Sequence, residues 1–425
     1  MARLESVAFE PRHARVHGRR LTWIPATASD RIDSLPQLFW ANGQPWLEAN
    51  QWFYVRASNG TTSLKTVLAN ASALLGYANW LEETNSKWTD FPQRKANRCL
   101  VRFRGALIKA RDCGQLAPST VSARMRAVLA FYRWAIAQGL LSSEWPLWTD
   151  HVIGVHIPDP SGLHRSVSIT TSDLSIQNRR APGDCLEDGL LPISASDRDE
   201  GLELCRQACS QELFLFLTLG FFSGMRLGSL TDLKVETLTN AVPEPAAPAF
   251  LRLALGPAAR PRVATKLGVS GSIWIPRILN ESLLEYAHST RRLLREAQAA
   301  PADRDLVFLT RYGNRYARRD AEKSPALNVE MHAFRKIAVA HGLQAWARFR
   351  FHQSRVTFAT ELARIAIGAG GSMFALGIVK QALLHRSEAM TLRYIRFVEK
   401  MPVKAQVADD FTKNFLNLMN SKKWD

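Results

Sequence analysis

The stretch FHQSRVTFAT, residues 351–360, says most about the fold. Its run of apolar residues predicts a helix, and the three-residue offset between His352 and Arg355 places both side chains on one face of it. A guanidinium within such an apolar helix needs an anionic partner. A bound phosphate fits, because the planar guanidinium donates two parallel hydrogen bonds. An internal ion pair with Glu361 is the alternative.

Basic residues recur in three other segments of the same half of the chain. Arg226 follows a long apolar stretch in the sequence SGMRLG, whose two glycines permit a sharp turn and close backbone approach. Lys266 precedes a predicted strand, and His385 lies nine residues before Tyr394. Taken singly, these residues have ordinary explanations, such as a surface cation for the arginine and a core position for the tyrosine.

In their order along the chain and in their local sequence, these segments together resemble the tyrosine recombinases, a family that includes the phage integrases. The family pattern reads approximately TG-x-R-x-x-E-L, then a lysine on a β-hairpin, then H-x-x-R-H-T-F-A-T, then L-G-H followed by a tyrosine. The matching residues here are Arg226, Lys266, His352, Arg355, His385 and Tyr394. The resemblance covers residues 61–418 and implies an enzyme that breaks and rejoins DNA strands.

Several positions depart from the family pattern. Ser229 stands where the pattern has an acidic residue three after the first arginine, so the supporting contact of that acid is either missing or supplied by Asp232. Val356 replaces the second histidine of the middle motif, and Leu384 replaces the glycine of the last motif. The interval between these two motifs is longer than usual, and residues 368–371 are expected to form an extra loop.

The resemblance implies that Tyr394 attacks a DNA phosphodiester and holds the strand as a 3′-phosphotyrosyl ester. This ester conserves bond energy, so a different 5′-hydroxyl can reseal the strand without ATP. A phenol titrates at about pH 10 and needs a proton acceptor at neutral pH. His352 is the expected acceptor, because imidazole titrates near neutrality.

The other motif residues are assigned by the same resemblance to the phosphate and the leaving group. Arg226 and Arg355 would clamp the non-bridging oxygens, a kind of contribution that is usually the largest in catalysis. Lys266, at a hairpin tip, would protonate the departing 5′ oxygen, and His385 would donate a further hydrogen bond to the phosphate. The sequence shows no carboxylate cluster beside these motifs, no Walker A loop and no GxGxxG, so neither a metal nor a cofactor is expected.

Composition favours a polyanionic partner. Lys and Arg number 55 against 38 Asp and Glu, which gives a net charge of +17 and a pI of about 10.0. Such a surplus favours nucleic acid, because each neutralised phosphate releases counterions. No apolar run reaches the roughly 18 residues of a membrane span. The N-terminus lacks the apolar core of a signal peptide, so export is not expected. Together with the family resemblance, this implies a cytoplasmic, bacterial nucleoid-associated protein.

Periodicity predicts a mainly α fold with a small β-sheet, arranged in four segments. Residues 1–60 lack clear periodicity and receive no function. Residues 61–145 form a basic helical domain with twelve Lys or Arg against five Asp or Glu. Residues 146–190 are rich in Pro, Gly, Ser and Thr and are interpreted as a linker with little regular structure. Residues 191–425 are predicted to be mostly helical with short strands.

The resemblance assigns these segments to known modules. It implies a helical SAM-like core-binding domain over 61–145 and a mixed α/β integrase-type catalytic domain over 191–425. In the core-binding domain, Ser119 is expected to cap the third helix. Three arginines on that helix are candidate DNA contacts, namely Arg124, Arg126 and Arg133.

The amphipathic segment 404–418 resembles the family's exchange helix, which docks on a neighbouring protomer. This resemblance predicts a homotetramer on double-stranded DNA with paired recombination sites, with accessory proteins as possible further partners. An ordinary intramolecular helix is the alternative for this segment.

Two other functions stay open at this point. A type IB topoisomerase uses similar chemistry to relax DNA as a monomer, although the core-binding motifs and the C-terminal segment favour a recombinase of a mobile element. A catalytically silent DNA-binding protein with the same fold is the second alternative, and Ser229 is the departure that favours it.

Overall fold

The computed structural model describes residues 1–25, 31–60, 62–142, 144–145, 147–158, 164–178, 186–317 and 324–402. The chain divides into two compact units, Met1–Pro182 and Gly183–Asp425. The described residues are mainly helical with small antiparallel sheets, so the predicted fold class is confirmed. The expected exchange helix over 404–418 lies outside the described residues.

The described part of the first unit contains short strands and four helices. In chain order these are β1 (Arg3–Phe9), β2 (Arg12–His17), β3 (Arg20–Pro25), β4 (Ile32–Phe39), α1 (Leu47–Ser58), α2 (Leu64–Glu83), α3 (Cys99–Asp112), α4 (Pro118–Ala137), β5 (Asp150–Pro158) and β6 (His164–Ser172). The strands form three antiparallel pairs, β1 with β4, β2 with β3 and β5 with β6.

Local sequence explains where the helices of this unit begin. The Ser63 hydroxyl accepts a hydrogen bond from the Thr66 N–H and so caps α2. At the start of α4, Pro118 occupies the first turn, where its missing N–H costs no hydrogen bond. Ala117 is therefore the cap residue and Ser119 lies inside the helix, so the predicted cap was wrong.

Residues 1–60 contribute to the same core as the helices. Leu38 of β4, Trp46 and Phe53 are buried in one hydrophobic cluster with side chains of α2, α3 and α4. The Trp46 ring lies 5.4 Å from the Phe131 ring in an edge-to-face arrangement. Because burial of such large apolar side chains stabilises a fold, the N-terminal segment belongs to the structure of this unit.

The segment 146–190 has more regular structure than its composition suggested. β5 and β6 pair in an unbroken antiparallel register from Asp150 opposite Ser172 to Pro158 opposite His164. β-Branched residues in both stretches favour strands, a signal that the surrounding Pro, Gly and Ser obscured.

The described part of the second unit is built from helices around one three-stranded sheet. Its elements are a 3-10 turn (Glu187–Gly189), α5 (Ala195–Ala208), α6 (Gln211–Ser223), α7 (Leu227–Thr231), α8 (Val235–Thr239), β7 (Val242–Glu244), β8 (Ala247–Leu255), β9 (Gly271–Pro276), α9 (Arg277–Ala287), α10 (Thr290–Gln298), α11 (Pro325–Ala340), α12 (His352–Ala382) and α13 (residues 388–402). The sheet order is β7-β8-β9 with antiparallel pairing. Both α6 and α12 pack against each other and against β9.

Helix α12 carries the stretch FHQSRVTFAT from His352 onward. The chain stays helical through residues 368–371 apart from a kink at Gly371, whose φ is 78°, so the extra loop expected there is absent. Within the described residues, α12 is long and apolar enough to cross a membrane by length and composition, so the expectation that no apolar run reaches that length was wrong. Its packing on α6 and β9 explains part of this apolar composition as core contact.

Candidate active site

Arg226 is placed by a sharp turn at the end of α6. Gly224 ends this helix in the left-handed conformation, with φ of 64°. A Cβ atom at Gly224 would overlap the Phe358 ring, so both the backbone angle and the space require glycine. The second glycine of the motif, Gly228, lies inside α7. The predicted close approach is thus due to Gly224.

Arg355 lies on the first turn of α12 and is almost fully buried, with 2% of its surface exposed. Its guanidinium donates from Nη1 to the Gly224 carbonyl at 2.7 Å and from Nη2 to the Leu383 carbonyl at 2.9 Å. Burial and the neighbouring Arg226 lower the pKa of Arg355 to about 10, so it stays protonated at neutral pH. Arg355 therefore joins the end of α6 to the end of α12 as a buried cation.

The carboxylate of Glu187, in the 3-10 turn, lies where the motif residues converge. It is 2.8 Å from His352 Nε2 and 2.9 Å from His385 Nε2. Arg355 Nε and Arg226 Nη2 lie 3.6 and 3.8 Å from its oxygens. Four of the six predicted catalytic side chains thus surround one buried anion.

Glu187 is held as an anion by these neighbours. Its burial opposes ionisation, but hydrogen bonds from His352 and His385 and the charges of Arg355 and Arg226 outweigh this effect. The pKa of Glu187 is consequently well below its ordinary range. The site is therefore electrostatically suited to binding negative charge.

No sequence motif pointed to Glu187, and two other carboxylates had been expected to support the arginines. Glu361 pairs with Arg364 on the surface, 2.7 Å away, and is not the partner of Arg355. Asp232 accepts from the Ala264 N–H at 2.8 Å and lies 3.2 Å from Lys234 Nζ. Glu187 stands in the segment interpreted as a linker, and the only local signal was an acidic residue before Asp-Gly.

His385 and Tyr394 lie at the other end of this network. His385 Nδ1 is 3.0 Å from the Thr391 hydroxyl, and the His385 ring stacks on the Tyr394 ring at 6.1 Å between centroids. Burial lowers the pKa of His385 despite its bond to Glu187. Tyr394 lies on α13 with its side chain fully buried in a cluster that includes Leu186.

The residue before His385 explains one departure from the family pattern. Leu384 has φ of 49°, a left-handed conformation that glycine adopts without strain. Its side chain lies over Gly271 of β9, where a Cβ atom would overlap it. Leu384 therefore has a backbone conformation that would be unstrained only for glycine, and its side chain packs against the sheet.

Lys266 lies in the turn between β8 and β9, as the hairpin prediction required. Its side chain is exposed, and the next residue, Leu267, has φ of 62°. Lys266 lines a small cleft together with Arg226, Arg355 and Ser229. The two arginines, the lysine and the serine that replaces the family's acidic residue therefore share one cleft.

The three candidate DNA contacts of the first unit have different surroundings. Arg124 packs over Gly76 of α2 and is half-buried. Arg126 is exposed and lies near the Ser122 hydroxyl, at 3.5 Å. Arg133 is exposed and donates to Asp150 at 2.8 Å. Arg126 and Arg133, seven residues apart, lie on one face of α4, whereas Arg124 does not.

The described residues contain no group of three or more His, Cys, Asp or Glu side chains placed to hold a metal ion.

No family model matches the sequence, and a search of curated proteins found no match to it. Among solved structures, the chain is similar to the Tn1549 transposon integrase in complex with transposon right-end DNA. The identity is 14% and the TM-score 0.50, over 84% of this chain and 98% of that chain. A lambda integrase dimer bound to a COC′ core site has 13% identity and a TM-score of 0.47, over 82% and 94%. The similarity to the Tn1549 protein shows that this chain has an integrase fold.

Proposed function

We propose that the protein is a site-specific DNA recombinase that cleaves and rejoins strands through a 3′-phosphotyrosyl intermediate and serves a mobile element. The observation that carries this proposal is the convergence of Arg226, Arg355, His352 and His385 around one buried anion. The integrase fold and the net charge of +17 support DNA as the substrate.

In the proposed reaction, the Tyr394 oxygen attacks the scissile phosphorus while its proton passes to His352. The bond between phosphorus and the 5′ oxygen breaks, and Lys266 protonates that oxygen. Arg226 and Arg355 stabilise the charge that grows on the non-bridging oxygens. Attack by a different 5′-hydroxyl on the phosphotyrosine reverses these steps and rejoins the strand.

Two features of the DNA-free structure have to change when DNA binds. Tyr394 is fully buried, so DNA binding has to expose its hydroxyl. Both ring nitrogens of His385 lie at hydrogen-bond distance from protein groups, Glu187 and Thr391. A bond from His385 to the phosphate therefore requires exchange of one of these contacts.

The proposed partners of the protein are double-stranded DNA with paired sites and other copies of the chain. Arg126 and Arg133 are the better placed of the three candidate DNA contacts, because their side chains are exposed on one face. A tetramer on DNA, accessory proteins and a place in the bacterial cytoplasm at the nucleoid belong to the same proposal.

The test uses a pool of nicked duplexes whose sequence is randomised on both sides of the nick. Wild type is expected to form a covalent adduct that survives denaturation, and sequencing of the trapped DNA reports the site. Tyr394→Phe is expected to form none. No adduct with wild type, or an adduct that persists in Tyr394→Phe, contradicts the proposal.

Relaxation of a supercoiled plasmid separates the proposal from a type IB topoisomerase. A recombinase is expected to join two plasmids that carry the recovered site. Efficient relaxation of a plasmid without that site, and no joining, would identify a topoisomerase. Sequence-independent DNA binding with neither reaction would identify a silent DNA-binding protein.

A further inference from the structure

We propose that Glu187 is a positioning residue of the active site, which orients His352 and, through His385, the helix that carries Tyr394. This inference rests on the proposed function. It assigns to a residue outside all four motifs the acidic support that is missing at Ser229.

The hydrogen bonds of Glu187 decide which nitrogen of His352 can act as a base. An ionised carboxylate only accepts hydrogen bonds, so the Nε2 atom that faces it at 2.8 Å carries a proton. In neutral His352, the lone pair is then on Nδ1, which is the nitrogen that can accept the phenol proton. Fixing a tautomer and a ring plane in this way is how a carboxylate supports a catalytic histidine.

The same carboxylate is connected to the tyrosine helix. His385 Nε2 donates to Glu187, so its Nδ1 accepts from the Thr391 hydroxyl at 3.0 Å. Thr391 is fully buried on α13, one turn before Tyr394. A continuous hydrogen-bonded path thus runs from the base to the segment that holds the nucleophile.

Glu187 is also held rigidly where it stands. The Gln353 amide donates to the Leu191 carbonyl at 2.8 Å, and the Ile193 N–H donates to the Thr357 hydroxyl at 3.1 Å. These bonds fix the segment after the 3-10 turn along α12, the helix that bears His352. Leu186, directly before Glu187, packs in the cluster that contains Tyr394.

The burial of Glu187 distinguishes a positioning residue from a carboxylate that only occupies the proposed phosphate position until DNA displaces it. The Glu187 side chain is 7% exposed, whereas those of Arg226 and His352 are 19% and 27% exposed. DNA that approaches from solvent meets the arginine and the histidine first. The carboxylate lies behind them, hydrogen-bonded to the histidines and beyond hydrogen-bond distance of the arginines.

The experiment compares Glu187→Asp with Glu187→Gln, since the first keeps the charge and the second keeps the shape. The rate of adduct formation is measured in a single turnover on the randomised nicked duplexes. Non-covalent affinity for the same duplexes is measured in a Tyr394→Phe background. Glu361→Gln, which removes an exposed carboxylate of α12, is the matched control.

We expect Glu187→Gln to lower the adduct rate by about 10–100-fold, by analogy with the loss seen when a carboxylate that orients a metal-bound histidine is removed. Glu187→Asp should lie between Gln and wild type, and the control should match wild type. DNA affinity should not change in any of them. A thermal melt checks folding, and Glu187→Asp keeps the test decisive if Glu187→Gln is unstable.

Three results would overturn the inference. Equal adduct rates for wild type and both variants would show that Glu187 has no role in catalysis. A higher adduct rate for Glu187→Gln than for Glu187→Asp would indicate that its role is purely structural. Faster cleavage with tighter DNA binding in Glu187→Gln would show that the carboxylate competes with the phosphate. If wild type itself forms no adduct, the proposed function fails instead.

Discussion

Two buried carboxylates of the second unit, Glu212 and Glu187, lie among arginines in different ways. Glu212 has no exposed surface and accepts from Arg291 Nε and Nη2 at 2.7 and 2.9 Å. Arg295 Nη1 and the Tyr286 hydroxyl also lie 2.9 Å from it. Glu187 receives hydrogen bonds from two histidines, and the nearest arginine nitrogens lie 3.6 and 3.8 Å from its carboxylate oxygens.

The difference separates a structural ion cluster, at Glu212, from the proposed phosphate site, at Glu187. Around Glu212, both carboxylate oxygens accept short hydrogen bonds from Arg291. Around Glu187, the Nε atoms of Arg226 and Arg355 are buried and have no hydrogen-bond acceptor in the described part of the chain. An unsatisfied buried donor costs about 1–3 kcal/mol. The Nε atom of Arg292, on the helix that carries Arg291 and Arg295, also has no acceptor among the described residues. The position beside the other motif residues, and not the missing acceptor alone, therefore favours the proposed phosphate contact.

The largest expected effect is on stability, at the structural cluster. Glu212→Gln leaves Arg295, which is almost fully buried, without its carboxylate. We expect the free energy of unfolding to fall by about 3–5 kcal/mol, the usual result of breaking a buried ion pair from one side. Denaturant unfolding of the full chain measures it. If Glu212→Gln lost less unfolding free energy than Glu187→Gln, the distinction between the two clusters would be contradicted.

The next effect is on catalysis and compares one arginine from each cluster. Arg355→Lys removes the planar guanidinium beside the proposed phosphate position, and we expect the adduct rate to fall by about 100–1000-fold. Arg291→Lys changes the arginine that contacts Glu212 and should leave the rate unchanged. The single-turnover adduct assay measures both. Similar losses in the two variants would show that the rate follows stability and not phosphate contact.

The smallest effect is a difference in the pH dependence of stability. For both carboxylates burial opposes ionisation, but hydrogen bonds from neighbouring side chains and the charges of nearby arginines lower the pKa below the ordinary value of 4.5. Each therefore stabilises the fold above that pH and loses this contribution as the pH falls below it. The Glu187 cluster also contains His385, whose pKa is lowered by burial from an ordinary value of 6.5.

The unfolded chain protonates His385 below about pH 6.5 while the folded chain keeps it neutral, so stability already falls with pH in this range. We expect a slope of at most about 1.4 kcal/mol per pH unit from this residue. Denaturant unfolding from slightly alkaline to mildly acidic pH measures it. His385→Asn should flatten the curve above the carboxylate range, and an unchanged slope would contradict the assignment.

Sequence alone predicted the parts of the site that depend on local pattern. The apolar run around His352 and Arg355 predicted the first turns of α12, and Lys266 was correctly expected between two paired strands. The sequence SGMR predicted a turn, because a glycine with positive φ stops a helix. These features depend on backbone preferences over one or two turns of chain, which the residues themselves carry.

Tertiary structure alone showed which anion these residues surround. Glu187 is separated from His352 by 165 residues and from His385 by 198. Such a pairing has no local signature, because it depends on how the 3-10 turn packs along α12 and not on the residues beside it. The sequence accordingly proposed Glu361 and Asp232, which lie nearer to the motifs in the chain but pair elsewhere. Local pattern determined the arginines and histidines of the site, and long-range packing selected the carboxylate that they share.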